Sequence, residues 1–234
     1  MSYKFALDAG HMSTTPGKRC LKKLDPNETR EWTLNDRICD KVEILLQGYT
    51  GWEMIRLDDT TGKKDISTVN RAKAANNFGA ADLYSVHHNA GVYGGKGGGI
   101  VVYVKAKADA ETVALQKALY NKLIEKTGLK GNRSNPTPKS NVSYVLTKSN
   151  MNAVLMELGF MDSQTDVPVI LREAYADQCA AAIVEVIVAR GKLQKKAEEP
   201  KKLYYVQAGA FSTETKAKAL VAQLKAAGFD AIIK

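Results

Sequence analysis

The 234 residues carry 44% hydrophobic and 25% charged side chains, close to the globular average, which excludes wholesale disorder and fibrous repeats. At about 150 residues per domain, the length admits one full domain and a small appendage. The net charge is +9, and from Lys192 onward nine lysines face four acidic residues. A basic end of this kind suits a polyanionic partner such as a bacterial wall, a membrane surface or nucleic acid, or serves solubility alone.

No apolar run approaches the roughly 18 residues of a membrane-spanning helix. Asp8 interrupts the amino-terminal stretch where a signal peptide would place its apolar segment. Synthesis in the cytoplasm without a signal peptide is therefore expected. Cys20, Cys39 and Cys179 are odd in number and far apart, so they make neither a disulfide framework nor a zinc ribbon and read as small apolar side chains in a reducing compartment.

In chain order, residues 4–8 read as a first strand, and His11 follows its end. Asp25-Pro26-Asn27-Glu28 fits a helix start, with Asp25 as cap, Pro26 in the first position and Glu28 reaching back. Glu31 then heads a helical stripe of Leu34, Ile38, Val42 and Leu45. A second strand is expected over residues 53–57, and a third over 83–87, closing on His87 and His88. The glycines between Gly94 and Gly99 do not make a phosphate loop, because Lys96 is followed by glycine and a strand comes next rather than a helix; a flexible loop beside the site is expected. Residues 99–104 form a fourth strand. Leu115, Leu119 and Leu123, with Ile124 beside them, mark a helix that Gly128 ends. Residues 153–157 supply a fifth strand and 180–188 a last helix.

This alternation predicts a three-layer α/β domain over residues 1–190, with a mixed, mostly parallel central sheet and flanking helices. Residues 191–202, rich in charge and carrying Pro200, read as a linker. Residues 203–234 then read as strand, helix and strand. Ser212 is the cap of a helix carrying Ala217, Leu220, Val221 and Leu224, and Gly228 is the stop. A β-α-β unit of that size falls below the ~40 residues that usually fold unaided.

Four polar residues stand where chemistry is expected. His11 and His87 sit at the carboxyl ends of strands, the rim on which open α/β sheets bind ligands. Glu31 puts a carboxylate at the head of a buried stripe, where it needs a partner. Glu157 ends an apolar strand, so partial desolvation should raise its affinity for a proton. Two imidazoles and a carboxylate are the ligand set of a catalytic zinc that keeps a position for water, and the remaining carboxylate supplies a base. Such an ion lowers the pKa of its water to around 7, and amide hydrolysis is the natural consequence. Glu28 competes with Glu31 but is occupied by its capping role. His88 competes with His87; strand alternation puts the two on opposite faces, and spacing alone does not choose between them.

The ordered pieces Leu7-Asp8-Ala9-Gly10-His11, Glu31-Trp32-Thr33-Leu34-Asn35, Asn70-Arg71-Ala72 with Ala75-Asn76, Ser85-Val86-His87-His88-Asn89-Ala90, Gly99-Ile100 and Val154-Leu155-Met156-Glu157-Leu158-Gly159-Phe160 together resemble the zinc-dependent N-acetylmuramoyl-L-alanine amidases of the type-3 family. The resemblance implies that His11, Glu31 and His87, rather than His88, are ligands of Zn2+ and that Glu157 is the catalytic carboxylate. It also implies that the substrate is bacterial peptidoglycan, cut between N-acetylmuramic acid and the L-alanine of the stem peptide. His88 replaces the small residue usual before Asn89, and Asn152 stands where a proline is common. The tail is similar to one half of a sporulation-related repeat, a peptidoglycan-binding module, which implies completion by a second copy in a homodimer. A phage endolysin or a sporulation autolysin, acting on the wall after release, fits this reading. Its rivals are a non-catalytic wall-binding protein on the same scaffold and a zinc peptidase acting within the stem peptide. Neither nucleic acid nor membrane is expected as a partner.

Overall fold

The structure is a computed structural model describing residues 2–141, 143–197 and 206–233. Its elements follow in the order β1 (Tyr3–Ala9), α1 (Glu31–Leu46), β2 (Tyr49–Thr50), β3 (Trp52–Arg56), α2 (Thr68–Phe78), β4 (Asp82–Asn89), β5 (Ile100–Tyr103), α3 (Ala110–Thr127), α4 (Tyr144–Thr147), β6 (Asn152–Phe160), α5 (Val167–Ile170), α6 (Glu173–Gly191), β7 (Gln194–Lys195) and α7 (Glu214–Ala226).

Five strands form one sheet in the order β3-β1-β4-β6-β5. The first four are mutually parallel and β5 runs antiparallel to β6. The expected mixed, mostly parallel sheet is therefore present. Central strands of such a sheet are covered on both faces and so read as unbroken apolar runs. Phe5, Ala6 and Leu7 of β1 accordingly have no exposure at all. On one face, Phe5, Leu7, Tyr84, Val86, Val154 and Met156 pack under α1, α3 and α6. On the other, Ala6, Leu83, Ala153 and Leu155 pack under the shorter α2 and α4.

Helix α3 is built as its sequence dictates. Asp109 accepts the backbone N–H of Thr112 at 2.8 Å as the amino-terminal cap, an interaction worth about 1 kcal/mol. Leu115, Leu119 and Leu123 are buried, and Gly128 closes the helix in the left-handed conformation at φ 68°. In α1 the buried stripe runs through Leu34, Ile38, Val42 and Leu46. Leu45 is exposed instead, because a 3.6-residue repeat carried on from Val42 turns position 46 inward.

Three other expectations are corrected. Asp25 does not cap a helix: its carboxylate accepts the N–H groups of Asn27 and Thr29 in a tight turn. Glu28 has φ 49°, which is incompatible with helix continuation, so α1 begins at Glu31 with Arg30 as its cap. The segment after α6 is not linker from residue 191. Leu193 is buried in the main core and β7 pairs antiparallel with β2, so the first compact unit extends to Lys196. Finally, the glycine loop is tied down rather than loose. One oxygen of Asp162 accepts the N–H groups of Gly91, Val92 and Tyr93, and Asp166 accepts that of Gly99.

The second unit, residues 197–234, contains the expected helix as α7. Part of the expected first strand lies outside the described residues. Residues 206–208 and 229–233 form no strand, since a strand exists only as a hydrogen-bonded pair and these stretches have no ladder partner among the described residues. No residue of α7 is buried.

Candidate metal centre

Along β1, β4 and β6 the positions Asp8, Ser85, His87 and Glu157 fall on the same side as Ala6, Leu83 and Leu155, two residues apart in each strand. That places a polar row at the carboxyl end of the sheet. His87 and Glu157 are direct register partners across the β4–β6 ladder.

His11 lies just beyond β1 with φ 69°, a left-handed conformation costly for a residue with a Cβ. It is held by its neighbours. Gly10 donates to the Val86 carbonyl at 2.9 Å, Asn35 Nδ2 donates to the Gly10 carbonyl at 3.2 Å, and Arg71 donates to the His11 carbonyl at 2.8 Å. Gly10 is required here, because a Cβ at that position would come within 2.1 Å of the His87 ring.

Glu31 stands in the first turn of α1 with no solvent exposure. Its Oε1 is 3.0 Å from His87 Nδ1, 3.3 Å from His11 Nε2 and 3.2 Å from the backbone N–H of His88. Its Oε2 has no hydrogen-bond partner; the nearest cation is Lys18, with Nζ at 3.6 Å. The two rings meet edge to face, centroids 5.0 Å apart. One ligand atom from each of His11, Glu31 and His87 lies within 4.8 Å of the others. Burial alone would raise the Glu31 pKa, but hydrogen bonding to His11 and His87 outweighs it and holds the carboxyl well below its ordinary range. His87 is pushed up by Glu31 against the opposing effect of burial.

Glu157 behaves oppositely. It has no ion-pair or hydrogen-bond partner on Oε2, and burial, reinforced by the charge of Glu31, pushes its pKa up to about 7, with His87 and Lys18 working against the rise. A carboxyl of that basicity exchanges protons readily near neutral pH.

His88 is buried on the opposite face, where burial pushes its pKa down to about 3. Its Nδ1 lies 2.8 Å from Asn35 Oδ1. Because Asn35 spends its amide nitrogen on Gly10, the oxygen must accept and His88 Nδ1 carries the proton. The three cysteines are buried thiols. Asn152 makes polar contacts, accepting from Thr112 and donating to Asp82. Glu28 pairs with Arg19 instead of approaching the cluster.

Sequence reasoning missed the parts played by Lys18, Asn35 and Arg71. Asn35 left a signal, since a polar residue one turn after Glu31 interrupts an otherwise apolar stripe. Arg71 stood in the Asn70-Arg71-Ala72 piece, but its role did not show there because its partners lie on other segments; Lys18 left no signal.

The donor set suits a borderline-soft divalent cation such as zinc. An ionised, wholly buried carboxylate facing two imidazoles, with one oxygen lacking a hydrogen bond, is an arrangement that a cation satisfies. The residues therefore fit the ion.

The sequence profile of the N-acetylmuramoyl-L-alanine amidases matches residues 6–189, and that of the SPOR domain matches residues 200–234. The chain is 28% identical over 231 residues to the sporulation-specific N-acetylmuramoyl-L-alanine amidase of Bacillus subtilis (strain 168), covering 98% of this chain and 84% of that protein. It is 31% identical over 209 residues to the endolysin of Bacillus phage SPP1, covering 86% and 72%. Among solved structures, the N-acetylmuramoyl-L-alanine amidase of Clostridium difficile 630 superposes with a TM-score of 0.70 at 26% identity, covering 80% of this chain and 96% of that one.

Proposed function

Since the chain belongs to the N-acetylmuramoyl-L-alanine amidase family, and so cleaves the amide between N-acetylmuramic acid and L-alanine, we propose that His11, Glu31 and His87 hold a zinc ion and that Glu157 is its partner in catalysis. The observation that carries this reading is the convergence of three ligand atoms within 4.8 Å beside a carboxyl whose pKa is about 7.

When bound, zinc supplies Lewis acidity for the amide carbonyl and makes a water molecule acidic. Glu157, as carboxylate, takes the proton from the attacking water as the new C–O bond forms. It then returns that proton to the alanine nitrogen as the C–N bond breaks, leaving a free amino terminus on the stem peptide. A proton affinity near neutrality serves both transfers. Glu31 stays ionised throughout, because the two imidazoles hold it so. Arg71 and Asn35 fix the carbonyls around His11 and thereby its ring.

Residues 200–234 provide wall binding in this proposal, and the substrate is peptidoglycan. Ala217, Leu220, Val221 and Leu224 form one stripe of α7 that is only half-buried among the described residues, a face whose burial a second copy of the chain would complete. We accordingly assign a homodimer formed through this unit. Sedimentation of the full chain at micromolar concentration should give a dimer, and a chain truncated after Lys196 a monomer; a monomeric full chain overturns the assignment. Among the described residues no helix is long and apolar enough to cross a membrane.

The reading as a whole is tested by digesting purified peptidoglycan and examining the products by mass spectrometry. A free alanine amino end on the stem peptide, with intact glycan strands, is expected. Cuts within the stem peptide would replace the amidase by a peptidase.

A further inference from the structure

We propose, building on the amidase reading, that Lys18 is the substrate-facing cation of this site, its ammonium meeting the scissile carbonyl oxygen as that atom gains negative charge. The chain between His11 and Glu31 is a series of tight turns. Thr15 donates to Met12 and Lys18 to Thr15 through the backbone, while the N–H of Glu31 donates to the carbonyl of Lys18 at 3.0 Å. The backbone of Lys18 is thus locked to the first turn of the helix that carries Glu31, and only its side chain is left to move.

That side chain is 44% exposed, yet its Nζ stands 3.6 Å from the unpartnered Oε2 of the wholly buried Glu31. The separation exceeds hydrogen-bond range, so the ammonium's three donors are not spent on Glu31. Among the described residues, no other lysine or arginine comes within ion-pair distance of Glu31, and none does so for Glu157. Arg71, the other nearby cation, is used up on Asp8 and on the carbonyls of Ala9, His11 and Ile66.

In the resting protein an ammonium that is 44% exposed and 3.6 Å from its carboxylate is held only weakly, which gives a purely stabilising role little to do. A charge that develops on an amide oxygen is a different matter, because a cation carried on an anchored backbone beside it needs little reorganisation to meet it. Lys18 takes no part in the proton transfer, which passes from water to Glu157 and on to the alanine nitrogen.

The test compares wild type, Lys18→Met and Lys18→Arg on a soluble muramoyl-peptide, with zinc content and Tm measured on the same samples. Affinity for a phosphinate analogue of the amide, a tetrahedral anion, is measured alongside. Lys18→Met should lower kcat about 100-fold and weaken phosphinate binding in parallel, with KM within about threefold of wild type and with zinc content and Tm unchanged. Lys18→Arg should recover most of the rate. An unchanged kcat, a loss confined to KM, or a rate loss that tracks lost zinc overturns the proposal. Failure of the wild type itself to release an alanine amino end would instead overturn the amidase reading.

Discussion

Asp8 and Arg71 form a buried ion pair at the end of β1 that carries His11, with Nη1 2.6 Å from Oδ1 and both side chains almost fully enclosed. Asp8 also accepts from Ser85 on β4, and Arg71 reaches the carbonyls of Ala9 and His11. The pair therefore joins α2, two strands and the loop bearing His11. Removing one partner strands the other charge in the interior, which costs about 3–5 kcal/mol. Arg71→Leu should lower the urea midpoint accordingly, and Asp8→Asn added to it should recover part of the loss. A strictly additive double variant would mean that the two side chains are not coupled.

Glu157→Gln keeps the shape of the side chain and removes the proposed base. Wall clearing should fall by about 10²–10⁴-fold, while zinc content measured on the same preparation stays at the wild-type level. Retained lysis would remove Glu157 from the mechanism.

Zinc removal should destabilise the fold as well as stop turnover. At a free zinc concentration of 1,000 Kd the bound ion contributes about 4 kcal/mol, which for a domain of this size raises Tm by roughly 10 °C. Dialysis against a chelator should lower Tm by that amount and added zinc restore it. Glu31→Gln should abolish the response. Identical melting with and without the ion would be incompatible with a site at these three residues.

Acid sensitivity is expected from the opposite end of the sheet. Asp82 is wholly buried, which by itself raises its pKa, but Arg190, Tyr3 and Asn152 donate to it and hold the value below the ordinary 3.8. The unfolded chain then takes up this proton first as pH falls. The stabilisation is complete above about pH 4 and is lost as pH drops through the folded value. Asp82→Asn should be less stable than wild type at pH 7, and the gap should narrow below about pH 4 in thermal melts taken across that range. A constant gap would show that Asp82 contributes nothing to the acid limb.

Much of the architecture was legible in the sequence. The five strands were placed within a few residues, because each is a short apolar run between turn signals. Helix α3 showed its period, its stripe and its stop. The errors have physical causes. The stripe read from Leu34 ends on Leu45, whereas the helical repeat turns Leu46 inward. Asp25 satisfies its carboxylate in a turn that looks locally like a capped helix. The expected linker started too early because Leu193 and β7 gain their burial and pairing from elements far back in the chain. The glycine loop was expected to be loose because the carboxylates that hold it, Asp162 and Asp166, follow it by some 70 residues.

By itself, the amino-acid sequence determined which faces are apolar, which ends of strands carry imidazole or carboxylate, and hence what kind of chemistry the chain holds. These are properties of local period and residue type. Only the tertiary structure decided that β4 lies between β1 and β6, bringing His87 beside Glu157 and within reach of His11, and that α1 covers the face on which His88 is buried. Those decisions come from packing two faces of one sheet at once, so that Lys18, Asn35 and Arg71 acquire their roles from partners that no stretch of neighbouring residues contains.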